Sequence, residues 1–187
     1  MRCSIEEYGK QVEITGYQGA AFAKVDAFLK ANRKQAKSEV AIQFFDADLI
    51  ATWEHLYFAA LNALQAFKTA TNISKSVAVE TMLYASARRQ IQKSIDLIGV
   101  KPSSQNVAAV IIGSKTEEVD VALEELNAAL GVQPDDAVLE LTLPKQQKIR
   151  AAFQISPEEQ KTATKTTPNR ALVDLVVEHV ALLSTQL

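Results

Sequence analysis

The sequence predicts an α+β fold, a two-layer sandwich in which a small four-stranded mixed sheet carries helices packed on it. Short β-branched runs such as Val40–Phe45 and Val107–Ile112 are interspersed with longer segments whose apolar residues recur at three and four. The two kinds of segment do not follow a strict strand–helix–strand rhythm, which favours α+β over a doubly wound parallel sheet. With 187 residues, 48% apolar and 22% charged, the chain has the size and composition of one ordinary globular domain, so residues 1–187 read as a single unit.

Gln11 to Tyr17 alternates Val12 and Ile14 with polar neighbours and reads as a strand, with Gly16 and Gly19 as loop punctuation. Phe22, Val25, Phe28 and Leu29 fall at helical spacing and predict a helix from about Gly19 to Lys37. Ser38 and Glu39 lead into the dense run Val40–Phe45, a buried strand. From Thr52 to Phe67 the strongest amphipathic pattern in the chain predicts a core helix. Ser76 is a plausible N-cap for a helical pattern over Val77–Gly99, which permits a break near Ser86–Ala87 and places Gly99 to end it in a left-handed conformation.

Val107–Ile112 is an almost unbroken apolar run between Asn106 and Gly113, as in a central strand. Ser114 and Glu117 have capping-box spacing before a helix closed by Gly131. Val138–Leu143 reads as a fourth strand, and Pro144 as the first position of a short helix to Phe153. Ser156, Pro157 and Glu159 repeat the cap grammar, and Lys161–Thr167 reads as a connector. A last helix runs from Thr167-Pro168 to about Ser184. Its apolar positions cover roughly two-thirds of its circumference at 100° per residue. Either the helix lies between two internal layers, or one apolar face is left for a partner protein.

The net charge of −2 provides no chain-wide basic field for nucleic acid or an anionic membrane. Cys3 is the single cysteine, which excludes an internal disulfide and a cysteine-based zinc site and fits a reducing compartment. Arg2, Glu6 and Glu7 interrupt the first residues where a signal peptide needs an apolar core, and no window is long and apolar enough for a membrane span. A soluble, cytoplasmic protein is expected. No phosphate-binding glycine loop, nucleophile elbow or zinc-protease motif is present, and His55 and His179 lie on different predicted helices. These features weigh against an enzyme. His55 beside Glu54 reads either as a helix-surface or cap-bonded histidine or as an acid, base or stacking group. A small enzyme using His55 with Glu80 is the least favoured reading, and Asp135-Asp136 reads as a turn rather than a catalytic pair.

One region differs electrically. Lys68, Lys75, Arg88, Arg89, Lys93 and Lys101 face only Glu80 and Asp96 between residues 68 and 101, whereas the remainder holds 14 basic and 20 acidic residues. Arg89 and Lys93 at i, i+4 are expected to share a helix face with Arg88 and Gln90 beside them. Such a cluster is either a solvated face or a site for phosphate oxygens and unpaired bases. Two to four phosphate contacts would give weak, salt-sensitive binding.

The stretches QFFDADLIATWEH (43–55), ETMLYASARRQI (80–91) and IDLIGV (95–100) resemble the PRPK-binding protein family, which supplies the kinase-binding subunit of the KEOPS/EKC complex. The resemblance spans about residues 40–143, and Leu172–Leu183 is similar to the family's terminal helix. Ala87 stands where the family usually has glycine; if that position needs positive φ, alanine costs about 1 kcal/mol. The resemblance implies a non-catalytic, archaeal-type subunit without a cofactor. It binds and activates the kinase/ATPase subunit of the complex that makes threonylcarbamoyl-adenosine in tRNA, and it holds tRNA by the single-stranded CCA end. Carried onto this chain, it implies that Arg89 meets phosphate and that Ser86 and Gln90 bond base or sugar. His55 lies at the earlier motif, and Lys75, Arg88 and Lys93 supply the surrounding field. Val173, Val177 and Ala181 on the terminal helix are the expected kinase-facing residues, with Leu172, Val176 and Leu183 turned to the core. Neither a membrane nor DNA is an expected partner. The competing reading is a purely structural interaction subunit that does not touch RNA.

Overall fold

The computed structural model describes residues 1–34, 40–162 and 167–185. Its strands are β1 (Arg2–Ile5), β2 (Lys10–Gln18), β3 (Ala41–Asp46) and β4 (Asn106–Gly113). Its helices are α1 (Phe22–Lys34), α2 (Trp53–Lys68), α3 (Val77–Ser86), α4 (Ile91–Ile98), α5 (Thr116–Leu130), α6 (Leu143–Phe153), α7 (Pro157–Thr162) and α8 (Pro168–Leu182). This is the α+β class that the apolar patterns predict. The sheet runs in the order β1-β2-β4-β3 and is antiparallel throughout rather than mixed.

Strand alternation sends side chains to opposite faces, and here both faces carry helices. Val12, Ile14, Phe45, Val110 and Ile112 pack with Leu56, Ala60 and Leu83 of α2 and α3. Tyr17, Phe44, Val107, Ala109 and Ile111 pack with Val25, Phe28, Val119 and Leu126 of α1 and α5. The adjacent phenylalanines Phe44 and Phe45 therefore serve different cores. A third cluster joins Ile149 and Phe153 of α6 to Leu172, Val173 and Val176 of α8. Helix α8 lies between α2 and the α6–α7 layer, which accounts for its wide apolar surface.

The expected strand over Val138–Leu143 is instead a 3-10 turn at Asp136–Leu139 followed by the start of α6. Asp135 accepts from the Ala137 amide, while Asp136 accepts from the Gly16 amide and the Thr15 hydroxyl, each at 3.1 Å. These carboxylate contacts fasten the segment across β2 as a turn. A Cβ at Gly16 would stand 2.7 Å from the Asp135 carbonyl oxygen, so the turn can approach only over glycine. Strand β1 was not expected. It pairs with β2 from Arg2↔Glu13 to Ile5↔Lys10, and the Arg2 guanidinium lies 2.7 Å from Glu13.

The segment read as Val77–Gly99 is broken at Ala87, and Gly99 is extended rather than left-handed. The capping contact at α5 comes one residue later than the spacing suggests, with Glu118 accepting from the Ser114 and Lys115 amides. The carboxy-terminal end of the first expected helix, at Lys37, and most of the Lys161–Thr167 connector lie outside the described residues. No helix among the described residues is long and apolar enough to cross a membrane.

Candidate nucleic-acid interface

Helix α3 ends where Ala87 adopts φ 51° and ψ 41°. The Arg88 amide then donates to the Leu83 carbonyl at 3.1 Å and the Ala87 amide to Tyr84 at 2.9 Å. This pairing satisfies the last carbonyls of the helix and reverses the chain. Ala87 is thus a left-handed residue at the position where the resemblance expects glycine, and an L side chain there is disfavoured by about 1 kcal/mol. The link Ala87–Gln90 carries both arginines. Gln90 is the N-cap of α4 but no side chain caps that helix. Two cationic groups thus stand beside a helix N-terminus, a combination suited to phosphate.

Buried polar contacts tie down both ends of α3, the loop before it and the corner after it. The Glu80 carboxylate is buried and accepts from the Ile73 amide at 3.1 Å and the Ser74 amide at 2.6 Å, fixing the loop that carries exposed Lys75. The Ser86 hydroxyl donates to Ser94 Oγ at 2.7 Å, and the Ser94 hydroxyl donates to the Gln90 carbonyl at 3.1 Å. Helices α3 and α4 are pinned by that chain. Ser86 is fully buried, so it supports the corner from within and does not reach a ligand base or sugar.

His55 is likewise interior. Its Nδ1 accepts from the Ala51 amide at 3.3 Å, leaving the proton on Nε2 for the Ala85 carbonyl at 2.7 Å. Burial lowers the imidazole pKa to about 4, although the bond to Ala85 works in the opposite direction. Its ring packs edge-on against Phe153 at 5.5 Å. A neutral, enclosed imidazole cannot line an RNA-facing surface. The expectation for His55 is corrected to an interior tie between α2 and α3.

Arg89, Gln90, Lys75 and Lys93 are exposed and Arg88 is half-buried. Arg89 and Lys93 do not share a helix face, however, because Arg89 lies in the link before α4 begins. Lys93 stands about 160° around α4 from the side of Ile91 and Ile95 at 100° per residue. Lys68, counted in the same basic region, is paired with Glu7 at 3.0 Å. The structure therefore brings together Arg88, Arg89 and Gln90, and leaves Lys93 on the far side of α4 and Lys75 at the opposite, amino-terminal end of α3.

The sequence did not single out the apolar half of the site. Ile91 and Ile95 are 44% and 42% exposed, unusual for large aliphatic residues on an amphipathic helix. They wall a groove of about 210 Å³ whose other sides are Phe22, Val25 and Leu29 of α1, Gln43 and Phe44 of β3, and Val79 and Met82 of α3. Strand β3 is an edge of the sheet, so the groove opens beside that edge strand. Ile91 is also the first residue of α4, and there the groove meets the arginine-bearing link. The i, i+4 spacing of the two isoleucines was the available signal, but spacing alone does not distinguish an exposed apolar flank from a core flank.

On the expected protein-facing surface, the structure places Leu172, Val176 and Leu183 in the core as anticipated. Val173 is also buried, against the α6 layer, and is therefore corrected to a core residue. Val177 is half-buried and Ala181 is exposed. Leu182, not singled out from the sequence, is 45% exposed beside Ala181. The accessible apolar surface of α8 thus lies towards its carboxy-terminal end, at Val177, Ala181 and Leu182.

Residues 22–184 match the family model for kinase binding protein CGI-121, from the first helix to the terminal one. The chain is also 34% identical over 113 residues to the regulatory protein Cgi121 of Methanocaldococcus jannaschii, covering 60% of this chain and 70% of that protein. With well over half of its residues inside the match, this chain belongs to the kinase binding protein CGI-121 family.

Proposed function

We infer that this protein is a non-catalytic regulatory subunit that binds a kinase/ATPase and recruits tRNA through its single-stranded CCA end, as part of a KEOPS complex. The observation that carries the RNA reading is the continuity of the Arg88–Gln90 link with the Ile91–Ile95 groove. The link offers charge to the phosphate backbone, while the groove offers an apolar slot, including the Phe22 ring, to an unpaired base. A duplex presents no free base to such a slot. The family supports the kinase partner, with Ala181, Leu182 and the half-buried Val177 as the available surface. The same reading accounts for the sparse chemistry. Buried His55 ties α2 to α3 and buried Glu80 fixes the loop before α3, and the protein acts in the cytoplasm by positioning its partners.

Binding of intact and CCA-trimmed tRNA to wild type and Arg89→Glu, measured by fluorescence anisotropy at fixed salt, tests the RNA half. Trimming should weaken wild-type binding by about tenfold or more, and Arg89→Glu should lose affinity for intact tRNA while becoming insensitive to trimming. Equal affinities in all four combinations would favour the purely structural subunit. Co-purification with the candidate kinase tests the other half independently.

A further inference from the structure

The amino-terminal turn of α6 carries a second, unrelated chemical feature. Lys145 is only 6% exposed, and its Nζ donates to the Val138 carbonyl oxygen at 2.9 Å. No carboxylate stands within ion-pair distance of it among the described residues. A largely buried ammonium with one neutral acceptor lacks the compensation that buried charge needs. Lys145 lines a cavity of about 430 Å³ between the ends of β2 and β4, the Asp136–Leu139 turn and α6. Lys148, one turn on, lines the same cavity but has the opposite environment. Its Nζ lies 2.6 Å from Asp48, a carboxylate that also accepts from Asn106 at 3.2 Å.

We propose that Lys145 is an acyl-acceptor lysine, modified by a small activated acyl donor such as an acyl phosphate that enters this cavity. Burial lowers the Lys145 amine to about pKa 8, against the weaker upward pull of Asp48 and Asp46, whereas its bond to Asp48 raises Lys148. Two lysines in one cavity are thereby divided into a nucleophile and a lasting cation. Asp135 and Glu140 at the rim are the remaining charged groups facing the cavity.

In the step, the Nζ lone pair attacks the acyl carbonyl carbon and a C–N bond forms. The carbonyl–oxygen bond to phosphate breaks, phosphate leaves with the electron pair, and the surplus amine proton passes to water. The product amide keeps an N–H for the Val138 carbonyl, so α6 stays docked while a buried charge is removed. The acyl chain occupies the cavity.

Treating the full chain with limiting acetyl phosphate at pH 7.0 and pH 9.5, then comparing acetylation of Lys145 and Lys148 by peptide mass spectrometry, tests this assignment. Lys145 should react at least about tenfold faster than Lys148 at pH 7.0, and the ratio should shrink at pH 9.5, where ordinary lysines also deprotonate. In 6 M urea the two rates should become equal. A Lys145 rate equal to or below that of Lys148 at pH 7.0 in the folded protein overturns the proposal.

Discussion

The Nε2 proton of His55 is donated to the Ala85 carbonyl oxygen 2.7 Å away, tying α2 to the last turns of α3 in the buried interior. Burial lowers the imidazole to about pKa 4, well below the ordinary value near 6.5. Between those values the unfolded chain binds a proton that the folded chain refuses. His55 therefore contributes its full stabilisation above about pH 6.5 and loses it as pH falls towards 4, by at most about 1.4 kcal/mol per pH unit. Urea denaturation at pH 7.5 and 5.0 should show wild type losing about 1–2 kcal/mol more than His55→Gln, which has no such titration. Equal losses would place the acid sensitivity elsewhere.

Substitutions on α8 should separate packing from recognition. Val173→Glu places a carboxylate in the α6–α8 core and should cost about 3 kcal/mol or more, read as a large fall in Tm. Leu182→Glu changes an exposed side chain, should leave Tm within about 2 °C of wild type, and should weaken capture of the kinase.

Left-handed backbone at two non-glycine residues gives opposite expectations. Gln154 is exposed, has φ 59° and ends α6, so Gln154→Gly should stabilise the protein by about 0.5–1 kcal/mol in thermal melts. Ala87 has similar backbone but is buried, so relief of strain in Ala87→Gly is offset by loss of a packed methyl worth about 0.8 kcal/mol. Ala87→Val combines a β-branched residue with φ 51° and should cost more than about 2 kcal/mol.

The two halves of the candidate interface should respond differently to salt. Ile95→Asn removes an apolar wall but no charge, so it should weaken tRNA binding about tenfold without changing the slope of log affinity against log salt. Arg89→Gln should weaken binding and reduce that slope by about one. Salt titrations of both variants provide the measurement.

Much of the fold was legible because its elements carry their signals locally. Trp53–Lys68 has an uninterrupted helical period, Val107–Ile112 is a bounded apolar run, and Gly131 closes its helix as its position suggested. Val138–Leu143 misled because its apolar residues resemble a strand, while the carboxylates of Asp135 and Asp136 bend it against Gly16, more than a hundred residues away. Strand β1 was invisible for a related reason: four residues alternate too weakly until paired with β2. At the site, charge counting found the cations but not their geometry, because left-handed Ala87 moves Arg89 off the helix that carries Lys93. The burial of His55 had a sequence signal in its i+4 neighbour Ala59 on the apolar face of α2, which its polarity outweighed.

Strand β4 lies between β2 and β3, yet it is the last strand in the chain. Val12 must wait for Ile112 and Phe44 for Ala109, so neither early strand can close its inner ladder until residues 106–113 have been synthesised. Such distant pairings slow folding and leave two open, hydrophobic strand edges on the nascent chain. Truncation anywhere before residue 113 should therefore yield fragments that clump rather than smaller folded cores, and chaperone dependence should be greatest just before β4 leaves the ribosome.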